Sequence, residues 1–451
     1  MKLNGKKIAV LGAGREGRAL AHYFKRHKIC ADFLDQNEKV SAEEIVKDGF
    51  NLIVGKDAFS NLSQYDIIFR SPGVSPHLPD LCSYNGTLTS LTRLFFDLWP
   101  GKTIGVTGTK GKGTTVSLIK TILDEAQLKS IVTGNIGVAD LTVVDNASKS
   151  DWAVVELSSF QLMDLGASPN IAVMLDVNEE HLDYHKSLND YHSAKLEIVR
   201  NQKNDDWLVI TGANSLFNKA QSIAKSKVLK VFGDIKATPS APALWWQDGS
   251  LFGNVEQKEH ILSLSDVIIN QPHNSLNVAA SVAVAKILGI KNDAIRRAVK
   301  KFKGLSQRLE EVATINGVLF INDSASTNPN TTIAAIKAHP RAPLILLVGG
   351  KNKGLDYSVL VKELSLAKNI KMVYVFGDLA RELPPLINSV KNEIKFEAVS
   401  TLPEALGKAK KIAKNGDTIL FSPGGASFDQ FENYVVRGQQ FNKLVYEQFS
   451  R

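Results

Sequence analysis

The stretch GTKGKGTT, residues 108–115, contains the residue types of a phosphate-binding loop. The backbone N–H groups of such a loop can point at one anion, a helix that follows adds the positive end of its dipole, and Lys112 supplies a cation. The loop departs from the strict pattern G-x-x-x-x-G-K-[ST], because Val106 and Gly113 stand where that pattern has a glycine and a hydroxyl. A flexible glycine-rich turn is the structural alternative. Apolar residues at helical spacing follow the loop and predict a helix there. A loop that joins a strand to the N-terminus of a helix favours the phosphate-binding interpretation over the flexible turn.

Glu156 lies at the end of a strand-like apolar run. A carboxylate there can hold Mg²⁺ against nucleotide phosphates, because Mg²⁺ prefers one or two carboxylates together with phosphate oxygens and water. A carboxylate that only caps backbone N–H groups is the alternative. The next apolar run ends near Asn178 and His181 and repeats the arrangement. His181 and His185, four residues apart, could also be a zinc pair, but no third ligand has suitable spacing.

The opening segment KKIAVLGAGREGRALAHYF predicts a strand, a glycine turn and a helix. Gly12, Gly14 and Gly17 fit the pattern G-x-G-x-x-G, and a second strand ends in Asp35, close to the offset of ~20 residues typical of dinucleotide folds. A lone pattern of this kind is compatible with a nucleotide site and also with a tight turn whose glycines let helix and strand pack closely. Both interpretations stay open on these residues alone.

These candidate residues require a scaffold of several domains. A chain of 451 residues is too long for one ordinary core, so two to four domains are expected. Strand-like runs alternate with helical patterns, which predicts an α/β protein with parallel sheets flanked by helices. Residues 227–261 break the alternation and predict a loop or hairpin insert. Restarts of the strand pattern favour three domains, at residues 1–98, 99–304 and 305–451.

The composition is that of a soluble globular protein, with 44% hydrophobic and 22% charged residues. No apolar run approaches the roughly 20 residues of a membrane helix, and a signal peptide is not indicated, so a cytoplasmic protein without a membrane partner is expected. The net charge of +8 is spread along the chain, which favours small anionic ligands over nucleic acid. Cys30 and Cys82 lack metal-ligand spacing and are expected to be small buried hydrophobes.

Eight motifs follow one another through the second and third predicted domains: GTKGKGTT at 108–115, GNIG at 134–137, ELSSFQL at 156–162, NEEHLDYH at 178–185, YHSAKLEI at 191–198, HNSLN at 273–277, NDSASTN at 322–328 and SPGGASFDQF at 422–431. Together they resemble the Mur ligases, ATP-dependent enzymes that form amide bonds in peptidoglycan precursor synthesis. ELSSFQL with SPGGASFDQF is most similar to the branch that adds D-glutamate. The resemblance implies a Rossmann-like N-terminal domain, a P-loop-type central ATPase domain and a Rossmann-like C-terminal domain.

The resemblance also implies a reaction. The terminal phosphoryl group of ATP activates the carboxylate of UDP-N-acetylmuramoyl-L-alanine as an acyl phosphate, and the amine of D-glutamate attacks it, so the protein's task is positioning and charge neutralisation. Two Mg²⁺ ions are implied: Thr114 or Thr115 with Glu156 would hold one, and His181 would help to hold the second. Lys195 would react with carbon dioxide to form a carbamate whose oxygens ligate the second ion. In its local sequence context alone, Lys195 would be an ordinary lysine on a helix surface.

Further binding residues are implied by the same resemblance. Those that bind ATP are Gly108, Thr109, Lys110, Gly111, Lys112, Gly113, Thr114, Thr115, Asn277, Arg308 and Asp323. The implied catalytic residues are Lys112, His181 and Lys195. Those that bind the two substrates are Gly14, Asp35, Gly73, Asn135, Ser158, Gln161, Thr327, Lys353, Ser427 and Phe428. The first domain would then bind UDP rather than NAD, and a monomer is expected.

Three positions depart from the family pattern. Gly113 replaces a hydroxyl residue, Gln307 replaces a histidine, and Ala325 replaces a lysine, which leaves the amino-acid specificity open. The closest alternative is a related Mur ligase or a folylpolyglutamate synthase that adds another amino acid. An NAD-dependent oxidoreductase that uses the first glycine turn and a non-catalytic nucleotide-binding protein are the others.

Overall fold

Three separate sheets flanked by helices make up the α/β fold, as predicted. The computed structural model describes residues 2–38, 40, 42–136, 141–178, 184–212, 215–240, 242–255, 257–269, 274–390 and 394–449. Backbone contacts divide the chain into two compact units, Met1–Phe302 and Lys303–Arg451. The first unit contains two of the sheets and the second unit contains the third.

The first sheet has five parallel strands in the order β3-β2-β1-β4-β5, which is the order of a Rossmann-type sheet. Its strands are β1 Ile8–Leu11, β2 Asp32–Asp35, β3 Asn51–Val54, β4 Ile67–Arg70 and β5 Thr87–Thr89, and its helices are α1 Arg15–His27, α2 Glu43–Lys47, α3 Pro79–Cys82 and α4 Leu91–Leu98. Phe24 of α1 packs edge to face against Phe69 of β4, with ring centroids 5.4 Å apart. The predicted strand, glycine turn and helix are therefore all present.

The second sheet has nine strands in the order β14-β13-β12-β11-β10-β9-β6-β8-β7. Its strands are β6 Lys102–Thr107, β7 Ser130–Gly134, β8 Trp152–Glu156, β9 Ile171–Met174, β10 Trp207–Thr211, β11 Lys227–Asp234, β12 Ala243–Gln247, β13 Ser250–Asn254 and β14 Lys258–Ser263. Its helices are α5 Lys112–Glu125, α6 Thr142–Asp145, α7 Ser159–Leu162, α8 Leu188–Arg200, α9 Ser215–Ile223, α10 Ser275–Ile287 and α11 Asn292–Lys301. Strands β6 to β12 pair in parallel, and β6 lies between β8 and β9, so the segment after β6 has a parallel strand on each side.

The region predicted as a loop or hairpin insert is a hairpin. Strands β12 and β13 pair antiparallel, and only Asp248 and Gly249 connect them. Both residues have positive φ angles, 49° and 72°, which is typical of the two-residue Asp-Gly turn that matches the twist of paired strands. The irregular patterning therefore reflects antiparallel edge strands added to a parallel sheet.

The third sheet lies in the second unit and has the order β15-β16-β20-β17-β18-β19. Its strands are β15 Glu310–Ile315, β16 Val318–Asn322, β17 Leu344–Gly349, β18 Ile370–Phe376, β19 Phe396–Ala398 and β20 Thr418–Gly424, and only β15 runs antiparallel. Its helices are α12 Pro329–Ala338, α13 Ser358–Leu366, α14 Leu379–Asn388, α15 Leu402–Ile412 and α16 Tyr434–Phe449. The three strands predicted from PLILLVGG, KMVYVFGD and DTILFSPGG correspond to β17, β18 and β20 and are fully or largely buried.

The expectation that the two cysteines are buried is wrong. Cys30 and Cys82 are both exposed thiols. Cys30 follows the last turn of α1 and Cys82 is the last residue of the one-turn helix α3, so each lies at an element boundary where the chain meets solvent. Within the described ranges, no helix combines the length and the apolar character that crossing a bilayer requires.

Candidate active site

The loop between β6 and α5 has the geometry predicted for a phosphate loop. Gly111 caps α5 with a φ of 83°, and Gly108 has a φ of 152°. A Cβ at Gly111 would lie 2.2 Å from Asn277 Oδ1, and a Cβ at Gly108 would lie 2.7 Å from the Cβ of Leu175, so both positions require glycine. Asn277, predicted as an ATP-binding residue on α10, therefore lies directly against the loop.

Lys112 folds back over the loop that precedes it. Its Nζ donates hydrogen bonds to the carbonyl oxygens of Gly108 and Thr109, each at 2.9 Å. Thr109 in turn accepts a hydrogen bond from the backbone N–H of Asn178 at 2.9 Å and contacts the Tyr191 hydroxyl at the same distance. These hydrogen bonds connect the loop to the segment that follows β9 and to the first turn of α8. The Lys112 cation lies at the centre of the loop.

The hydroxyl groups that follow the lysine differ in accessibility. Gly113 and Thr115 are buried and Thr114 is half-buried. The buried Thr115 Oγ1 has no hydrogen-bond partner in the described part of the chain. Thr114, the predicted metal ligand, is the more accessible of the two threonines, and which hydroxyl serves stays a prediction.

Glu156 lies beside the phosphate loop, because β8 pairs with β6 in the register that joins Glu156 to Val106. The carboxylate is 4% exposed, and its Oε1 accepts a hydrogen bond from Asn135 Nδ2 at 2.9 Å. Its Oε2 is buried without a partner among the described residues. A buried carboxylate oxygen that is left unsatisfied is costly in a folded protein, so this donor set fits a cation between Glu156 and bound phosphates.

Lys195 is buried, which corrects the expectation of a surface lysine. The residue is 2% exposed, and its Nζ donates to Gly108 O at 2.9 Å and to Thr107 Oγ1 at 3.4 Å. The same atom lies 4.8 Å from the centre of the Tyr191 ring. Tyr191, Ala194, Lys195 and the apolar residue three positions later share one face of α8, so the helical period of the sequence contained a signal that Lys195 faces inward.

The third predicted catalytic residue, His181, lies outside the described residues. His185, its partner in the zinc alternative, is 2% exposed and is engaged inside the fold. Its Nε2 lies 2.9 Å from Ser159 Oγ and its Nδ1 lies 3.4 Å from Asp190 Oδ2. In the ranges that the structure describes, no three His, Cys, Asp or Glu side chains cluster as a metal site would require.

A cavity of about 450 Å³ lies between the first two sheets, within the first unit. Four predicted substrate-binding residues line it: Gly14, Asp35, Gly73 and Asn135. Asp35 also fixes the glycine turn, since its Oδ2 accepts from the backbone N–H of Ala13 at 2.8 Å.

Two further predicted residues, at the start of α7, are connected to this cavity through Glu16. Ser158 and Gln161 form a capping box, in which Ser158 Oγ accepts from the Gln161 backbone N–H. The side-chain Nε2 of Gln161 reaches across and donates to Glu16 Oε1 at 3.2 Å. Glu16 also lines the cavity and was not predicted, because its position inside the glycine pattern accepts any residue type.

Six predicted residues lie in the second unit. Asp323 is 6% exposed and accepts hydrogen bonds from Leu309 N, Ser326 Oγ and Ser422 Oγ, and burial raises the pKa of its carboxyl group. Arg308 adjoins it and opposes that shift. Ser427 is buried and Thr327 is half-buried.

Lys353 and Phe428 contact each other in the same unit. Lys353 Nζ lies 4.7 Å from the centre of the Phe428 ring, and this ring is 61% exposed. Two of the three departures from the family pattern are also neighbours, because the backbone N–H of Ala325 donates to Gln307 O at 2.9 Å. Gln307 has a φ of 63°, so the replacement sits at a strained backbone position.

Comparisons with known proteins cover nearly the whole chain. Family models match the Mur ligase MurD-like N-terminal domain at residues 6–87, the Mur ligase middle domain at 106–285 and the Mur ligase glutamate ligase domain at 307–425. The chain is 33% identical to UDP-N-acetylmuramoylalanine--D-glutamate ligase of Acetivibrio thermocellus, over 98% of this chain and 97% of that protein.

Solved structures match the fold at lower identity. The MurF ligase from Thermotoga maritima in complex with ADP has a TM-score of 0.53 and 19% identity, covering 95% of this chain and 92% of that one. E. coli FolC in complex with DHPP and ADP has a TM-score of 0.56 and 16% identity, covering 79% of this chain and 93% of that one. These likenesses show a shared fold and do not separate a muramoyl from a folate substrate.

Proposed function

Because the chain belongs to the Mur ligase family, we propose that it adds D-glutamate to UDP-N-acetylmuramoyl-L-alanine in an ATP-dependent reaction. The observation that carries this proposal is the 33% identity to a D-glutamate ligase over 98% of the chain. The enzyme is thus an ATP-dependent ligase that forms amide bonds in peptidoglycan synthesis. The fold of the folate enzyme is equally similar, so the sequence match decides the substrate.

The phosphate loop is the site proposed for ATP. Lys112 would contact the β- and γ-phosphates after releasing its bonds to the loop carbonyls, and the N-terminus of α5 would add its dipole. Thr114 and the unsatisfied oxygen of Glu156 would hold one Mg²⁺, which would neutralise phosphate charge when bound. Asn277, packed against Gly111, would border the nucleotide.

The chemistry proposed has two steps. A carboxylate oxygen of the muramoyl-alanine substrate forms a bond to the γ-phosphorus of ATP, and ADP leaves with the electron pair of the broken bond. The amine of D-glutamate then bonds to the carbonyl carbon, inorganic phosphate leaves, and the amine loses a proton. The residues around the loop would act by positioning the reactants and balancing charge.

Lys195 is the proposed site of a carbamate. Its ammonium group would first lose one proton, and the neutral nitrogen would then bond to the carbon of carbon dioxide with loss of a second proton, which would replace a cation by an anion with two oxygens. Its Nζ lies 2.9 Å from Gly108 O, so the new anion would stand at the phosphate loop, where it would ligate a second Mg²⁺ together with His181. The contact between Lys195 and the loop supports this proposal.

The nucleotide-sugar is proposed to bind in the cavity of the first unit, with UDP against the glycine turn at Gly14 and Gly73 and with Asp35 near the uridine. Asn135, Ser158 and Gln161 would face the muramoyl end. In the second unit, the carboxylates of glutamate would be bound by Lys353, Thr327, Ser427 and Phe428. Arg308 and Asp323 would contribute to binding of the nucleotide. The domain boundaries near residues 98 and 304, the cytoplasmic location and the monomeric state are part of the same proposal.

Phosphate release tests the function directly. The purified protein is supplied with ATP, Mg²⁺, UDP-N-acetylmuramoyl-L-alanine and a panel of amino acids that includes both glutamate enantiomers. Release that depends on D-glutamate and is far slower with L-glutamate supports the proposal. Release that depends on a different amino acid would identify another Mur ligase, and release with a folate substrate instead would identify the folate enzyme.

A further inference from the structure

Glu16 occupies an unusual position in the cavity of the first unit. It lies in the first turn of α1, inside the glycine turn, and lines the same wall as Gly14 and Arg15. Its Oε1 accepts the hydrogen bond from Gln161 Nε2 at 3.2 Å. Its Oε2 is buried and has no hydrogen-bond partner in the part of the chain that the structure describes. A buried polar oxygen without a partner, beside an open cavity, indicates that a ligand completes the site.

Burial, not the surrounding charge, disfavours a carboxylate at Glu16. Arg15 and Arg70 attract a negative charge on Glu16, but Arg70 is already paired with Asp164 at 2.6 Å, and Asp35 lines the same cavity with a second carboxylate. Burial outweighs the attraction and raises the pKa of Glu16 to about 7. The carboxyl group is therefore protonated in a large share of molecules at neutral pH.

A nucleotide-sugar makes the protonated form still more favourable. Its diphosphate is anionic, and an ionised carboxylate in the same cavity would repel it, whereas a protonated carboxyl group can donate a hydrogen bond to it. The hydrogen bond from Gln161 fixes Oε1 as the acceptor and leaves Oε2 as the atom that carries the proton. When it is protonated, the unsatisfied atom can donate a hydrogen bond to an anionic ligand.

We propose that Glu16 contacts the substrate as a neutral acid, whose Oε2–H donates a hydrogen bond to an oxygen of the diphosphate or muramoyl portion of the nucleotide-sugar, so that binding takes up a proton. This inference depends on the proposed function, because it takes the cavity to be the nucleotide-sugar site. The inference adds Glu16 to the proposed substrate-binding residues, and the hydrogen bond of Glu16 connects this site to Gln161 on α7. The proton is taken from solvent and stays on Glu16 until the product leaves.

The test measures binding of UDP-N-acetylmuramoyl-L-alanine between pH 6 and pH 9 by titration calorimetry, in buffers with different heats of protonation. UDP alone is unsuitable, because its terminal phosphate titrates near pH ~6, whereas the diphosphate of the nucleotide-sugar is esterified at both ends. The wild type should have constant affinity below about pH 7 and lose about tenfold per pH unit above it, and binding at pH 8 should take up about one proton.

Two variants complete the experiment. E16Q keeps the shape and a donor but cannot titrate, so it should bind at pH 6 like the wild type, without proton uptake and with a flat pH profile. E43Q alters a glutamate that is 84% exposed in the same domain, and it should retain the wild-type profile. The inference is overturned if E16Q keeps the slope and the proton uptake, or if the wild type shows neither. If all three folded proteins fail to bind the nucleotide-sugar at every pH, the proposed function itself is wrong.

Discussion

Lys195 Nζ donates a hydrogen bond to the carbonyl oxygen of Gly108 at 2.9 Å, although 87 residues separate them in the chain. The bond joins the middle of α8 to the first residue of the phosphate loop. It places the proposed carbamate nitrogen at the loop rather than on the protein surface. Two sequence motifs that were recognised separately are thus parts of one site.

Replacing Lys195 by alanine is expected to abolish turnover and also to lower stability. A lysine on a helix surface would contribute little to stability, but the Lys195 side chain is 2% exposed, so its removal leaves a cavity between α8 and β6. We expect a loss of about 2 kcal/mol in the free energy of unfolding, which denaturant titration measures. K219A, on the exposed face of α9, is the control and should change neither quantity. Near-normal activity in folded K195A would refute the role of Lys195.

Glu156→Gln is expected to raise the Mg²⁺ concentration that half-maximal turnover requires. The amide keeps the size of the side chain and an acceptor for Asn135, but it removes the charge on the oxygen that lacks a partner. We expect an increase of roughly tenfold or more, which corresponds to ~1.4 kcal/mol of lost binding energy. Magnesium titrations of phosphate release measure it. A Mg²⁺ requirement equal to that of the wild type would mean that Glu156 only holds Asn135 in place.

The sequence predicted the fold class and the phosphate loop because both depend on local patterns. Strand runs, helical spacing and glycine turns are properties of neighbouring residues, and the structure has the predicted strand, glycine turn and helix at the start of the first sheet and at residues 102–125. The burial of Lys195 was missed because a lysine on a helix is usually exposed, and only its face-sharing with Tyr191 indicated otherwise. The exposure of Cys30 and Cys82 was missed for the opposite reason, since residue type outweighed their position at element ends.

Contacts between distant segments were beyond the reach of sequence patterns. Glu16 and Gln161 are 145 residues apart and meet only because the tertiary fold brings α7 to the first turn of α1. The bond between Ala325 and Gln307 likewise depends on how the loop before β15 folds against the end of β16. Such pairings are set by tertiary packing, which the spacing of residues along the chain does not encode.

Glu16→Gln is expected to stabilise the folded protein at alkaline pH. The folded-state pKa of Glu16 is raised from 4.5 to about 7, so the fold favours the neutral acid. The wild type therefore loses stability as the pH rises from about 4.5 through 7, and the glutamine variant avoids this loss. At pH 8 we expect a gain of about 1 to 3 kcal/mol, and at pH 4 no difference. Thermal unfolding at both pH values measures it, and a gain that is equal at both would exclude titration of Glu16 as the cause.

Gly111→Ala is expected to damage the phosphate loop through a steric clash. Its Cβ would lie 2.2 Å from Asn277 Oδ1, and the φ of 83° adds strain for any residue other than glycine. G289A is the matched control, because Gly289 has a φ of 69° but open space around its Cβ position, so it should show the strain alone, about 1 to 2 kcal/mol. The difference in unfolding free energy between the two variants isolates the clash. In G111A the affinity for ATP should also fall, because either the loop or Asn277 must shift. If G111A binds ATP as tightly as G289A does, the packing of Asn277 against the loop is not needed for nucleotide binding.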